Sequence, residues 1–153
     1  MSFPPTGLSE ICAVYGDARM YFDRKAEWEA KALVTSPVPE GLLVYIGQPV
    51  RRIRAHRTAM PLFLEVIEKL RAQGQKGIEY NGIYAYRAKR SDWRVLSTHS
   101  WGIAIDLCAS TNHMGDPPAM DLEIVAAFED AGFTWGGRWD RPDGMHFQLA
   151  RGY

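Results

Sequence analysis

Apolar residues recur at helical spacing over two long stretches of the chain. From Arg57 to Gln73, the residues Met60, Leu62, Phe63, Leu64, Val66, Ile67 and Leu70 share one broad face, and Gly74 stands where a C-terminal cap belongs. From Asp121 to Ala131, Leu122, Ile124, Val125 and Phe128 repeat the pattern, which stops at Gly132. Elsewhere the period is that of strands. Gly77 to Tyr86 carries Ile78, Tyr80, Tyr84 and Tyr86 at even positions. Trp101 to Leu107 alternates Ile103, Ile105 and Leu107 with Gly102, Ala104 and Asp106, which puts the Asp106 carboxylate on the face opposite the greasy one. Phe133 to Trp135 and Met145 to Leu149 read as further short strands, joined by a Gly- and Asp-rich loop.

Residues 1–50 are less regular. Runs such as Ser36-Pro37-Val38-Pro39-Glu40-Gly41 favour turns, so this part reads as a loop-rich wrapping segment, with a short helix over Leu8 to Tyr15 and a short strand over Leu42 to Ile46. The resulting order, helix, strand, strand, helix, strand, strand, lacks the regular alternation of a doubly wound parallel sheet. It predicts an α+β fold in which helices pack on a small, mostly antiparallel sheet. With 153 residues, 46% of them hydrophobic, the chain is long enough to bury the core of a single domain over 1–153.

Charge removes some classes of function. Lys plus Arg and Asp plus Glu both number 18, so no global field draws the molecule to nucleic acid or an anionic membrane. The basic run Arg51-Arg52-Ile53-Arg54-Ala55-His56-Arg57 leads into the first long helix and reads as a solvated face. No apolar run is long enough to span a bilayer. The first residues, Met1-Ser2-Phe3-Pro4-Pro5, show no basic region followed by an apolar one, which predicts synthesis in the cytoplasm without a secretory signal. Cys12 and Cys108 lie far apart, outside any Cys-x-x-Cys spacing, and read as reduced thiols.

Candidate chemistry lies in two segments. In Ser97-Thr98-His99-Ser100-Trp101-Gly102-Ile103-Ala104-Ile105-Asp106 an imidazole precedes a strand from which a carboxylate projects. In Trp135-Gly136-Gly137-Arg138-Trp139-Asp140-Arg141-Pro142-Asp143-Gly144-Met145-His146-Phe147 a second histidine opens the last strand, three residues after an aspartate. His99, Asp106 and His146 make a ligand set that suits one zinc ion, because catalytic zinc takes imidazole nitrogen and carboxylate oxygen from three side chains and keeps a position for water. Asp143, in the Asp-Gly turn before the strand, is placed to take a proton from that water, with Asp140 in the same loop as the alternative. His56 and His113, considered singly, read as satisfied polar residues, with His113 a possible neighbour of a bound substrate.

These segments resemble the zinc D-alanyl-D-alanine carboxypeptidases and L-alanyl-D-glutamate endopeptidases, a family that includes phage endolysins. The pattern Ser-x-His-x-x-Gly-x-Ala-x-Asp falls on Ser97, His99, Gly102, Ala104 and Asp106, and the acid-x-x-His-aromatic pattern on Asp143, His146 and Phe147. Within Gly82-Ile83-Tyr84-Ala85-Tyr86-Arg87-Ala88-Lys89-Arg90, Arg87 matches the family arginine that supports the substrate carbonyl or carboxylate, and Arg90 is the second choice. The resemblance implies a hedgehog-like D-Ala-D-Ala-peptidase fold, a zinc cofactor, and the peptide stem of bacterial peptidoglycan as substrate. Many relatives have Glu at the Asp143 position. Endopeptidases often have Asp there, which turns the expectation toward the L-alanyl-D-glutamate bond, ahead of D-Ala-D-Ala trimming or a non-catalytic zinc-bearing module. Ser97 is placed to hydrogen-bond the substrate backbone, and Trp135, Trp139 and Trp101 to wall a peptide groove. A monomer that reaches the wall after release, as phage lysins do, is the setting this implies.

Overall fold

The computed structural model describes residues 3–153. Its helices are α1 (Gly7–Tyr15), α2 (Lys25–Ala32), α3 (Met60–Ala72) and α4 (Leu122–Asp130). The strands are β1 (Leu33–Pro37), β2 (Leu43–Tyr45), β3 (Gln48–Pro49), β4 (Arg52–His56), β5 (Ile78–Glu79), β6 (Ala104–Asp106), β7 (Thr134–Trp135) and β8 (His146–Gln148). This is an α+β fold of small, mostly antiparallel sheets, as the element order predicts.

The long periodic runs become helices for the reasons the sequence gives. In α3, Met60, Phe63, Val66, Ile67 and Leu70 are buried, and Gly74 at φ 80° lets the chain turn back so that Gln75 N–H donates to Leu70 O at 3.0 Å. In α4, Ile124, Val125, Ala127 and Phe128 are buried, and the Asp121 side chain caps the first turn by accepting from Glu123 N–H at 2.9 Å. The two helices meet around Phe133, whose ring centroid lies 5.0 Å from Phe63 and 5.1 Å from Phe128.

Residues 3–50 correct the expectation of a loop-rich wrap. The short helix and short strand expected there are present as α1 and β2, but α2, β1 and β3 are added to them, and β1 pairs antiparallel with β4 over the full length of both. The basic run is therefore largely a strand, in which Ile53, Ala55 and His56 are buried while Arg52 and Arg54 are exposed. Helix α2 buries only Trp28 and Ala32, a stripe too narrow to read from sequence, yet Trp28 is fully enclosed and its indole N–H donates to Ser100 O at 2.9 Å.

The strand expected over Gly77 to Tyr86 is shorter than its pattern. Only β5 and a bridge between Tyr80 and Leu107 are ladder-paired. Beyond them the backbone swings away at Gly82, φ 113°, whose carbonyl accepts from Asp106 N–H at 3.0 Å. Likewise the strand expected from Trp101 begins only at Ala104, because Thr98–Trp101 winds into a 3-10 turn that ends at Gly102 in the left-handed region. A Cβ at Gly102 would sit 2.8 Å from His56 N, so the β4 chain can pass only over a glycine.

The sheet that carries the candidate chemistry runs β6-β8-β7, antiparallel throughout. Its register places Ile105 opposite Phe147 and Asp106 opposite His146. Ile105 and Phe147 enter the core, where Phe147 stacks on Phe128 at 4.3 Å, and each contributes roughly 2–3 kcal/mol of burial. Alternation then obliges Asp106 and His146 to face the other side together.

Candidate metal centre

The 3-10 turn that carries His99 is fixed from several sides. Ser97 Oγ accepts from His99 N–H at 3.2 Å, Trp28 holds Ser100 O, and Trp101 Nε1–H donates to Gly16 O at 2.8 Å. The His99 ring is 3% exposed, and its Nδ1 lies 2.6 Å from Ile83 O. A carbonyl can only accept, so Nδ1 carries the proton and Nε2 offers a lone pair. That Nε2 is 3.2 Å from Asp106 Oδ1 but has no hydrogen-bond partner among the described residues, because the geometry brings the two atoms together without the alignment a hydrogen bond needs.

His146 is oriented in the same manner by a different partner. The Gln148 amide nitrogen donates to Ala150 O at 3.2 Å and Tyr153 O at 3.3 Å, which turns Gln148 Oε1 toward the histidine. Oε1 accepts from Thr98 Oγ1–H at 3.0 Å and lies 2.9 Å from His146 Nε2. The proton therefore sits on Nε2, and Nδ1 presents its lone pair 3.1 Å from Asp106 Oδ1.

Two imidazole lone pairs and a carboxylate oxygen thus converge in a buried space, and the ligand atoms of His99, Asp106 and His146 lie within 4.8 Å of one another. Lone pairs facing an anion repel unless something positive lies between them. Without a cation a proton must serve, and the three groups shift one another's proton affinity. Burial raises the Asp106 carboxyl, but the His146 and His99 imidazoles, which protonation would turn into donors toward it, override that and hold the group well below the usual carboxylate range. Burial lowers the His146 imidazole, and Asp106 more than reverses this, leaving it raised. The orphaned His99 nitrogen and the nitrogen, nitrogen, oxygen donor set fit a divalent transition metal.

Asp143 stands beside this cluster. It is 8% exposed, its backbone N–H donates to Gly136 O at 2.9 Å, and its Oδ1 is buried without a hydrogen-bond partner among the described residues. Gly136 is required here, since a Cβ would lie 2.7 Å from Asp143 O. Burial pushes the Asp143 carboxyl up, His146 opposes the shift and the Asp106 charge adds to it. A carboxylate with a raised pKa and an unused oxygen is suited to accept a proton.

All these side chains line one cleft of about 370 Å³. Arg87, Arg90, Ser97, Trp139 and Asp140 line it as well. Trp139 is the exposed wall, its ring 5.6 Å from that of His146. Trp135 and Trp101 are corrections. Both are buried core residues, Trp135 donating its indole N–H to Gly144 O at 2.9 Å and stacking on Phe147, because each completes the packing behind a turn and leaves no face for a ligand. His113 is exposed and does not line the cleft. His56 is a satisfied interior histidine, its Nε2 2.8 Å from Tyr15 O while Nδ1 accepts from Thr58 N–H at 3.0 Å. Sequence reasoning missed Thr98 and Gln148. Gln148 lies two residues from His146 on a strand, hence on the same face, and that spacing is the signal that could have found it.

An enclosed three-ligand cluster with an unpartnered carboxylate beside it in a cleft defines a candidate hydrolytic metal centre. Residues 90–149 match the family model described as D-alanyl-D-alanine carboxypeptidase. That stretch holds His99, Asp106, Asp143 and His146, and the match supports the resemblance to the zinc D-Ala-D-Ala peptidases and a metal-dependent hydrolase. Arg87 lies outside it.

Proposed function

We propose that this chain is a zinc peptidase that hydrolyses an amide bond in the peptide stem of bacterial peptidoglycan, with L-alanyl-D-glutamate as its bond. The observation that carries the reading is the convergence of the His99, Asp106 and His146 ligand atoms with the unpartnered Asp143 oxygen in the same cleft. The family match supports peptidase chemistry, and two imidazoles with one carboxylate are a zinc set. A zinc ion held there supplies Lewis acidity, which polarises a carbonyl and acidifies water. Asp143 then takes the proton of the attacking water and delivers it to the departing amine. The Arg87 guanidinium, half-buried in the cleft wall, donates to the oxygen on which negative charge grows. The Trp139 ring covers the site from the solvent side.

A second reading is favoured by the description of the matching family, which names a carboxypeptidase: removal of a terminal D-alanine. Mass spectrometry of purified muropeptides digested with zinc or with chelator separates the two. A new free amine on D-glutamate supports the endopeptidase, released D-alanine supports the carboxypeptidase, and zinc-independent or absent cleavage removes both. Action on the wall after release from the cytoplasm, as in phage lysins, is the biological setting proposed, supported by the resemblance. Lysis of chloroform-treated cells by added protein tests it.

A further inference from the structure

The chain is electrically neutral, yet its cleft is not. Arg87, Lys89, Arg90 and Arg141 line it, against Asp106, Asp140 and Asp143. A bound divalent cation would offset Asp106 and Asp143, leaving the cations in excess. None of those four cationic groups is in an ion pair among the described residues, whereas Arg19, Arg54, Lys69, Arg71, Arg94 and Arg138 each hold a carboxylate at 2.6 to 3.0 Å.

Lys89 is the most constrained of the four. It lies in a hairpin closed by the Ala88 to Leu96 bridge and by Lys89 N–H donating to Val95 O at 2.7 Å. Its ammonium sits 4.0 Å above the centre of the Tyr153 ring, and it is half-buried. Burial pushes that ammonium down and Asp92 only partly compensates. The Arg87 guanidinium, also half-buried, donates only to Ala88 O among the described residues, at 3.2 Å. Desolvating cations without giving them a carboxylate costs free energy that a folded chain ordinarily avoids. The missing anions are then those of the ligand.

We infer that Lys89, together with Arg90 and Arg141, selects peptides bearing at least two free carboxylates and discriminates against the same peptides in carboxamide form. This rests on the peptidase reading for its substrate, and it names the chemistry by which that substrate is chosen. In wall peptides the groups concerned are the free glutamate carboxylate and the carboxylate of the following residues. The ammonium of Lys89, restricted by its aromatic seat, is the specificity-determining charge that no motif assigns.

The test uses the zinc-loaded full chain carrying Asp143→Ala, so that binding is read without turnover, and two synthetic stem pentapeptides, one with free carboxylates and one fully amidated. Calorimetry is expected to show the acidic peptide bound about tenfold or more tightly than the amidated one. Adding Lys89→Gln should remove most of that preference while leaving the amidated peptide within about twofold, and Lys89→Arg should restore it. Arg94→Gln, a charge already paired with Asp92, should change neither affinity. Thermal melts of each variant exclude unfolding. Equal binding of the two peptides, binding of neither, or an equal loss for both on Lys89→Gln overturns the inference. If the Lys89-dependent preference is present while the chain with Asp143 intact cuts neither peptide, selectivity stands and the peptidase reading falls.

Discussion

Asp143 and His99 make opposite contributions to the cluster, and substitution should separate them. Asp143 holds its Oδ1 without a partner beside the ligands, so Asp143→Ala is expected to keep metal affinity within a few-fold and to lower kcat by about 10² to 10⁴. His99→Ala or His146→Ala should lose both metal and turnover, as read by dialysis and metal analysis beside the rate. Near-normal hydrolysis by Asp143→Ala would return the role of base to Asp140, its exposed neighbour in the cleft. Gln148 acts through His146: Gln148→Leu is expected to weaken metal binding about 10- to 100-fold by releasing the imidazole from its tautomer, with Gln148→Glu recovering part. A competition titration with a chromophoric chelator measures this, and ¹⁵N spectra of the His146 ring should show the Nε2 proton lost from its fixed position.

At the scale of elements, α2 and the 3-10 turn are one device, since Trp28 carries the only polar link from that helix to Ser100 among the described hydrogen bonds. Trp28→Ala should cost about 3–5 kcal/mol in denaturant unfolding and loosen the metal, through the cavity it leaves under the turn. His56, on β4, gives a pH signature. Burial lowers its imidazole, with the Tyr15 hydrogen bond opposing, so the folded state binds its proton less readily than the unfolded chain does. The stability it supports is complete above the ordinary value of 6.5 and is lost as pH falls below that toward the lower native value. A histidine NMR titration of the metal-saturated protein should find His56 neutral at pH 6.5; a normal midpoint would contradict its two hydrogen bonds. Why some elements were readable and others not follows from their side chains. Helices α3 and α4 bury a wide stripe and end at glycine, a strong periodic signal. Helix α2 buries two residues, and β1 and β4 contain Pro37 and alternating arginines, which mimic a loop and a solvated basic run. Gly77 to Tyr86 has the period of a strand but spends its backbone groups on His99 and Asp106, which no local pattern reveals.

For the molecule as a whole, metal removal should be visible in stability as well as activity. Ligands that converge on an empty point repel, so chelation is expected to lower Tm by several degrees, with excess zinc reversing the change. An unchanged melt would mean that the cluster is satisfied by protons alone. The three side chains that converge were legible as candidates because each carries its chemistry in a short motif. Arrangement was not: that Trp101 and Trp135 are interior and Trp139 is not depends on which side of a turn each falls, a property of tertiary packing.

The pairing of β6 with β8 ties assembly to chemistry. Were the last strand to anneal a single position out of step, its imidazole would swing into the greasy layer and Phe147 would be stranded in water. A metal ion held by the candidate ligands would favour only the correctly zipped chain, so metal uptake during refolding is expected to select the alignment of the two strands.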